Sequence, residues 1–216
     1  MKNLKFLMTI NLVWLMFCQE TEPNKLIDIK GNEYTLKLYG ETVWMIENLK
    51  ITVDLSGRPI QYYVPNDDTT LVDTYGLLYD FETACKVCPK GWSLPNNEEW
   101  EKLLGDNGGY LASDYKDDQF WERDVNTNNS LFSVRPTGSG NNGEFPNHFG
   151  DRTLFWSRTM EDDHFVWTYI FERGKDSLRT ASQHPTYAFS VRCVKSKSSM
   201  NRNLIQSATE TGEFEE

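Results

Sequence analysis

Cysteine and histidine are scarce in these 216 residues, basic side chains are outnumbered, and aliphatic bulk is low. Each shortage excludes something. The three histidines, His148, His164 and His184, stand far apart with no partner four residues away and no cysteine at zinc spacing, so a zinc site is not expected. Lys and Arg total 22 against 32 Asp and Glu, a formal charge of −10 with the acids scattered. Nucleic-acid binding rests on basic groups neutralising phosphates, so a nucleic-acid partner is not expected either. The chain also lacks a Ser-centred elbow, a phosphate loop and a dinucleotide fingerprint, which removes the usual sequence grounds for those chemistries. Neither a cofactor nor a metal is expected. Only 38% of the residues are hydrophobic, but 7 Trp, 10 Tyr and 12 Phe are present. Burial should therefore rest on a few large rings, each removing roughly 150 to 250 Å² from water. The length suits one domain with short ends.

Residues 1–17 read as an export signal. Lys2 and Lys5 form a positive n-region, and Phe6 to Phe17 is an apolar stretch too short to span a bilayer. Cleavage before Cys18 exposes a thiol for lipid attachment, and Leu15-Met-Phe-Cys18 resembles the bacterial lipoprotein signal, with Phe17 bulkier than the small residue usual there. Gln19-Glu-Thr-Glu22 resembles the acidic leader of surface-displayed lipoproteins. The expected address is the outer membrane, facing outward and held by lipid at Cys18. Cleavage further on, leaving a secreted protein, is the alternative. Losing two lysines and no acids takes the charge from −10 to −12, so the lipid itself must anchor the chain against anionic membrane.

Cys85, Cys88 and Cys193 remain, an odd number for an oxidising compartment. Cys88 opens Cys88-Pro-Lys-Gly-Trp-Ser-Leu-Pro95 and Cys193 sits in Phe189-Ser-Val-Arg-Cys-Val194, each beside a rigid aromatic segment. A clamp between them is their simplest use, with Cys85 left over. Cys85-Lys-Val-Cys88 also has the spacing of a thiol oxidoreductase motif. Such motifs sit at helix N-termini, however, where the dipole lowers the thiol pKa, and this one follows a helix and is stopped by Pro89.

Residues 18–26 form a polar tether. Strands are expected at 27–29, 34–39 and 43–46, with turns at Gly31-Asn32 and Gly40-Glu41. Residues 51–74 carry Gly57, Pro59, Pro65 and Asp67-Asp68 and read as a surface excursion. Asp80 caps a short helix through Cys85. Asn96 stands three residues before Glu99 and opens a second helix to Gly105, with Trp100, Leu103 and Leu104 on one face. The interrupted segment 105–150 is long enough to carry function. Strands return at 153–159, 165–171, 177–181 and 187–194, and 196–216 reads as a frayed polar tail.

Taken in order, Thr42-Val-Trp-Met-Ile-Glu-Asn-Leu49, Tyr75-Gly-Leu-Leu-Tyr79, Cys88 to Pro95, Glu99-Trp100, Phe155-Trp-Ser157 and Phe189 to Val194 resemble the Fibrobacter succinogenes major paralogous domain over residues 27–195. Leu131-Phe-Ser-Val-Arg-Pro-Thr-Gly138 is similar too, with Leu131 where the family usually has glycine. The resemblance implies an α+β, C-type-lectin-like domain: two helices on a small twisted antiparallel sheet, N- and C-terminal strands paired, and a long loop region above. It also implies a bridge from Cys88 to Cys193.

Calcium-dependent sugar sites of lectin-like domains use Glu-Pro-Asn or Gln-Pro-Asp and Trp-Asn-Asp. Glu144-Phe-Pro-Asn147 and Trp156-Ser-Arg158 depart from these at the liganding positions, and Asp114, Asp117 and Asp118 read as solvated loop carboxylates. Trp121, His148, Asp162 and His184 lie in loops that the resembled fold gathers at one end of the sheet, and rings beside polar groups suit sugar faces or peptides. Trp44, Trp92, Trp100, Trp156 and Trp167 are assigned to the core. The expected function is a non-enzymatic surface lipoprotein binding an extracellular glycan or protein. A hydrolase or thiol oxidoreductase on the same scaffold, or a structural envelope protein, is the alternative.

Overall fold

The computed structural model describes residues 24–106, 111–122, 124, 126–140 and 147–197. The expected export signal, Cys18, most of the expected tether, residues 144–146 and nearly all of residues 196–216 lie outside the described residues. In chain order the elements are β1 (Lys25–Ile27), β2 (Glu33–Tyr39), β3 (Thr42–Met45), α1 (Val72–Tyr75), β4 (Leu78–Tyr79), α2 (Phe81–Ala84), α3 (Asn97–Asp106), β5 (Arg152–Met160), β6 (Val166–Glu172), β7 (Arg179–Gln183), β8 (Phe189–Ser190) and β9 (Val194–Ser196). Strands dominate. They form two sheets, ordered β1-β2-β3-β9 and β4-β8-β5-β6-β7, so the molecule is of mixed α+β class.

The first sheet begins as hairpins. The Asp28 carboxylate accepts bonds from the Lys30 and Asn32 amides, the Asn32 side chain and the Tyr34 hydroxyl, which fixes the turn between β1 and β2. Gly40 takes a positive φ of 58° in the turn into β3. The far end of the chain then returns, with Thr42 paired to Ser196 and Trp44 to Val194, so β9 lies beside β3 at one edge of the sheet and β1 forms the other.

In the second sheet β5 and β6 are buried on both faces. Leu154, Trp156, Val166 and Ile170 join one hydrophobic cluster with Leu49, Tyr79, Leu94 and Phe189. Phe155, Tyr169 and Phe171, on the alternate positions, join another with Trp44, Trp100, Leu103 and Phe132. In that second cluster Trp100 stacks on Tyr169 at 4.9 Å and meets Trp44 edge-on at 4.8 Å. Helix α3 supplies Trp100 because its start is doubly capped: the Asn96 side chain accepts from the Glu99 amide, and the Glu99 carboxylate accepts from the Asn96 amide, both at 2.8 Å.

Residues 189–196 join the two sheets. The expected strand 187–194 is instead split, with β8 in the larger sheet and β9 in the smaller, and Val191-Arg-Cys193 crosses between them. Cys193 is bonded to Cys88 across 105 residues of sequence, with Cα atoms 5.8 Å apart. Beside it Arg192 is buried and forms no ion pair with a carboxylate among the described residues. Its guanidinium donates to the Asn48 side chain at 2.8 Å and to the carbonyls of Phe132 and Ser133, and it lies over the Phe132 ring at 4.3 Å. Burial pulls its pKa down to about 9, which leaves it charged at neutral pH. Asn48 also donates to the Tyr75 carbonyl, so one amide ties three of the motifs together.

Several expectations are corrected. Among the described residues only α3 is an α-helix of more than about one turn, since α1 and α2 each hold four residues. The described residues form two sheets rather than one, and β5 meets β8 in parallel at Phe155 and Ser190. Strand 27–29 lies at 25–27 and strand 177–181 at 179–183. Trp92 and Trp167 are half-buried at the edge of the core, whereas Trp44, Trp100 and Trp156 are fully buried.

Candidate functional site

The register of the larger sheet builds the site. Leu154 on β5 pairs with Ile170 on β6, and Ile170 pairs with Arg179 on β7, so the three side chains share one face. Arg152, two residues before Leu154, is on that face, and so is Gln183, which pairs with Val166. Toward Arg152 the apolar cluster on this face gives way to a cavity of about 210 Å³. Leu154, Ile170 and Phe189 line it with apolar surface, while Ser139, His148, Arg152, Arg179, Gln183 and Tyr187 supply polar groups.

The cations of this cavity are poorly neutralised. Arg152 has Glu172 as its ion-pair partner at 3.9 Å, beyond hydrogen-bond reach, and its buried Nε has no acceptor. Arg179 is exposed and forms no ion pair among the described residues. Asp151, the adjacent acid, is held by Arg173 at 2.6 Å. Burial, with Arg152 adding to it, lowers the His148 imidazole from its ordinary value and favours the neutral ring, which offers one donor and one acceptor. The Ser139 hydroxyl donates to the Asn147 carbonyl at 3.4 Å. A second cavity of about 250 Å³ is lined by Asp54, Arg58, Glu82 and Lys86, but there each charge has its mate, Arg58 with Asp54 at 2.8 Å and Lys86 with Glu82 at 2.7 Å.

Of the four residues nominated from sequence, His148 lines the cavity. His184 is exposed, lies between the lining residues Gln183 and Tyr187 in sequence, and its Nδ1 is 2.8 Å from the Thr186 hydroxyl. Asp162 belongs to the turn between β5 and β6, where its carboxylate accepts from the amides of His164 and Phe165 at 2.7 and 2.8 Å. Those bonds hold its pKa below the usual carboxylate value and occupy the group. Trp121 is corrected outright: it is 3% exposed and its indole N–H donates to the Val134 carbonyl at 2.7 Å. Its face lies 4.8 Å from the Lys116 ammonium, which is itself buried on Asp124 and the carbonyls of Glu172 and Lys175. The loop around Trp121 thus folds on a buried cation instead of presenting its ring. Asp114 and Asp117 are likewise occupied, by Thr127 and Asn129 and by Arg135 and Gln119.

Arg152, Arg179, Gln183 and Tyr187 were not legible as a group. The one available signal was an arginine at the inward phase of each of two strands, and its meaning depends on a register that sequence does not supply. Cys85 is unpaired and exposed. Partial desolvation of its sulfur raises the thiol pKa, opposite to an activated thiolate.

The fold and site together define a disulfide-tied α+β domain with a cationic, part-apolar cavity on one face of its larger sheet. The sequence profile of the Fibrobacter succinogenes major domain (Fib_succ_major) matches residues 38–195, and the chain belongs to that family. No curated protein and no solved structure matches it.

Proposed function

We propose that this chain is a non-enzymatic binding module of C-type-lectin-like architecture, anchored through lipid at Cys18 on the outside of a bacterial outer membrane, and that it takes an extracellular glycan in the cavity between β5, β7 and β8. One observation carries the reading: apolar and aromatic surface from Leu154, Phe189 and Tyr187 stands beside hydrogen-bonding groups from His148, Arg152, Arg179 and Gln183 in one concavity. That mixture suits a sugar, whose ring has an apolar face and a polar rim. The lectin-like reading draws support from the pairing of β3 with β9 and from the link between Cys88, ahead of α3, and Cys193, beside β9. Export draws support from the signal-like first 17 residues and from a disulfide, which persists in oxidising compartments.

The mature protein on a glycan array should retain at least one saccharide class, and Tyr187→Ala should reduce that retention about tenfold or more, because a stacking ring is lost. No retention by the unaltered protein, or retention unchanged by Tyr187→Ala, contradicts the reading. Mass spectrometry of the mature N-terminus should find Cys18 first and acylated.

A further inference from the structure

We infer that this cavity selects a sugar bearing a carboxylate, gripped between Arg152 and Arg179 with its ring against Tyr187 and Phe189; this rests on the glycan reading above. Arg152 and Arg179 stand on strands separated by β6, on the same sheet face. Two inter-strand spacings, with an offset of two residues along the strands, put their backbones roughly 12 Å apart. Side chains as long as arginine's can close on a small anion across such a gap. Among the described residues neither guanidinium has a hydrogen-bonded carboxylate: Glu172 is 3.9 Å from Arg152, and Arg152 keeps a buried Nε without an acceptor. A buried donor left unmatched is uncommon and favours a ligand that supplies an acceptor.

The balance of charge narrows the anion. Arg152 and Arg179 give two positive charges against Glu172, while Asp151 shares Arg173 with Glu122, so the surplus at the cavity is at most about one unit. One unit matches a carboxylate monoanion better than a phosphate dianion. A guanidinium also presents paired N–H groups that fit both carboxylate oxygens. The cavity of about 210 Å³ is smaller than the roughly 300 to 1,000 Å³ of pockets for drug-sized ligands, so it holds a single sugar unit. The apolar floor of Leu154, Ile170 and Phe189 excludes a bare hydrated anion as the best occupant.

The test is a titration of the mature protein at pH 7, followed by NMR, with galacturonate and glucuronate against galactose and glucose, and with inorganic phosphate alone. The uronates should bind about tenfold or more tightly than the neutral sugars, since a charge-assisted pair is at stake. Arg179→Gln, at an exposed position that leaves the core untouched, should abolish that preference while neutral-sugar binding persists. Arg58→Gln, outside the cavity, should leave the preference intact. Equal binding of acidic and neutral sugars, or a preference that survives Arg179→Gln, overturns this inference while the glycan reading stands. Failure of every sugar to bind defeats both, and phosphate binding as tightly as the uronates overturns the assignment to a carboxylate.

Discussion

Leu131 occupies a backbone conformation that belongs to glycine. Its φ is 58° and its side chain is 58% exposed, so the left-handed geometry is imposed on it without a packing contribution in return. A glycine, as the resembled family motif implies at this place, would fit that geometry without strain, and the turn keeps its shape here because Phe132 is anchored in the core beside it. A left-handed non-glycine costs about 1 to 2 kcal/mol, and glycine's extra freedom in the unfolded chain returns about 0.5 to 1. Leu131→Gly should therefore raise the thermal midpoint by roughly 1 to 4 °C in a scanning melt, and a fall would refute this account. Gly138 and Gly76 show the converse. A Cβ on Gly138 would stand 2.2 Å from the Asn147 carbonyl oxygen, and one on Gly76 2.6 Å from Asn48 Cβ, so both motif glycines answer to close backbone approach as well as positive φ. Trp121 shows what residue type alone leaves open. A tryptophan in a polar loop reads equally as a ligand contact or as an anchor, and the buried Lys116 ammonium beside it decides for the anchor.

At the scale of elements, local signals succeed where local physics sets the outcome. Asp80 caps α2 by accepting from the Thr83 amide, and Asn96 and Glu99 cap α3 reciprocally, as the spacing of those residues predicts. Asn96→Ala should destabilise the domain by about 1 kcal/mol in a denaturant titration, while a change at exposed Glu98 should do little. An unaltered midpoint for Asn96→Ala would show that tertiary packing alone holds α3. The elements misread from sequence are those whose partners are distant. Tyr187 to Val194 looks like one strand although the chain changes sheets after Ser190. Periodicity reports which side of a segment meets apolar surface. It does not report which sheet accepts its hydrogen bonds.

At the scale of the molecule, the Cys88–Cys193 bond joins the segment before α3 to the crossing between the two sheets. A loop of 105 residues closed in the unfolded chain contributes about 4 to 5 kcal/mol by chain entropy. Replacing both cysteines with serine should cost about 2 to 5 kcal/mol and lower the melting midpoint, with the same drop in the native protein under reducing conditions. An unchanged midpoint would mean that the two clusters and Arg192 hold the sheets together without it. The chain of residues alone determined the class of the domain, its family motifs, the caps of its helices and the tally of rings available for a core. These follow from side-chain chemistry and spacing along a few turns or strands. Tertiary structure alone decided which strand lies beside which, that Trp121 turns inward, and that Arg152, Arg179, Gln183 and Tyr187 face one cavity with His148. Their meeting depends on sheet register between segments far apart in sequence, and a shift of one residue would turn every one of those strand side chains to the opposite face.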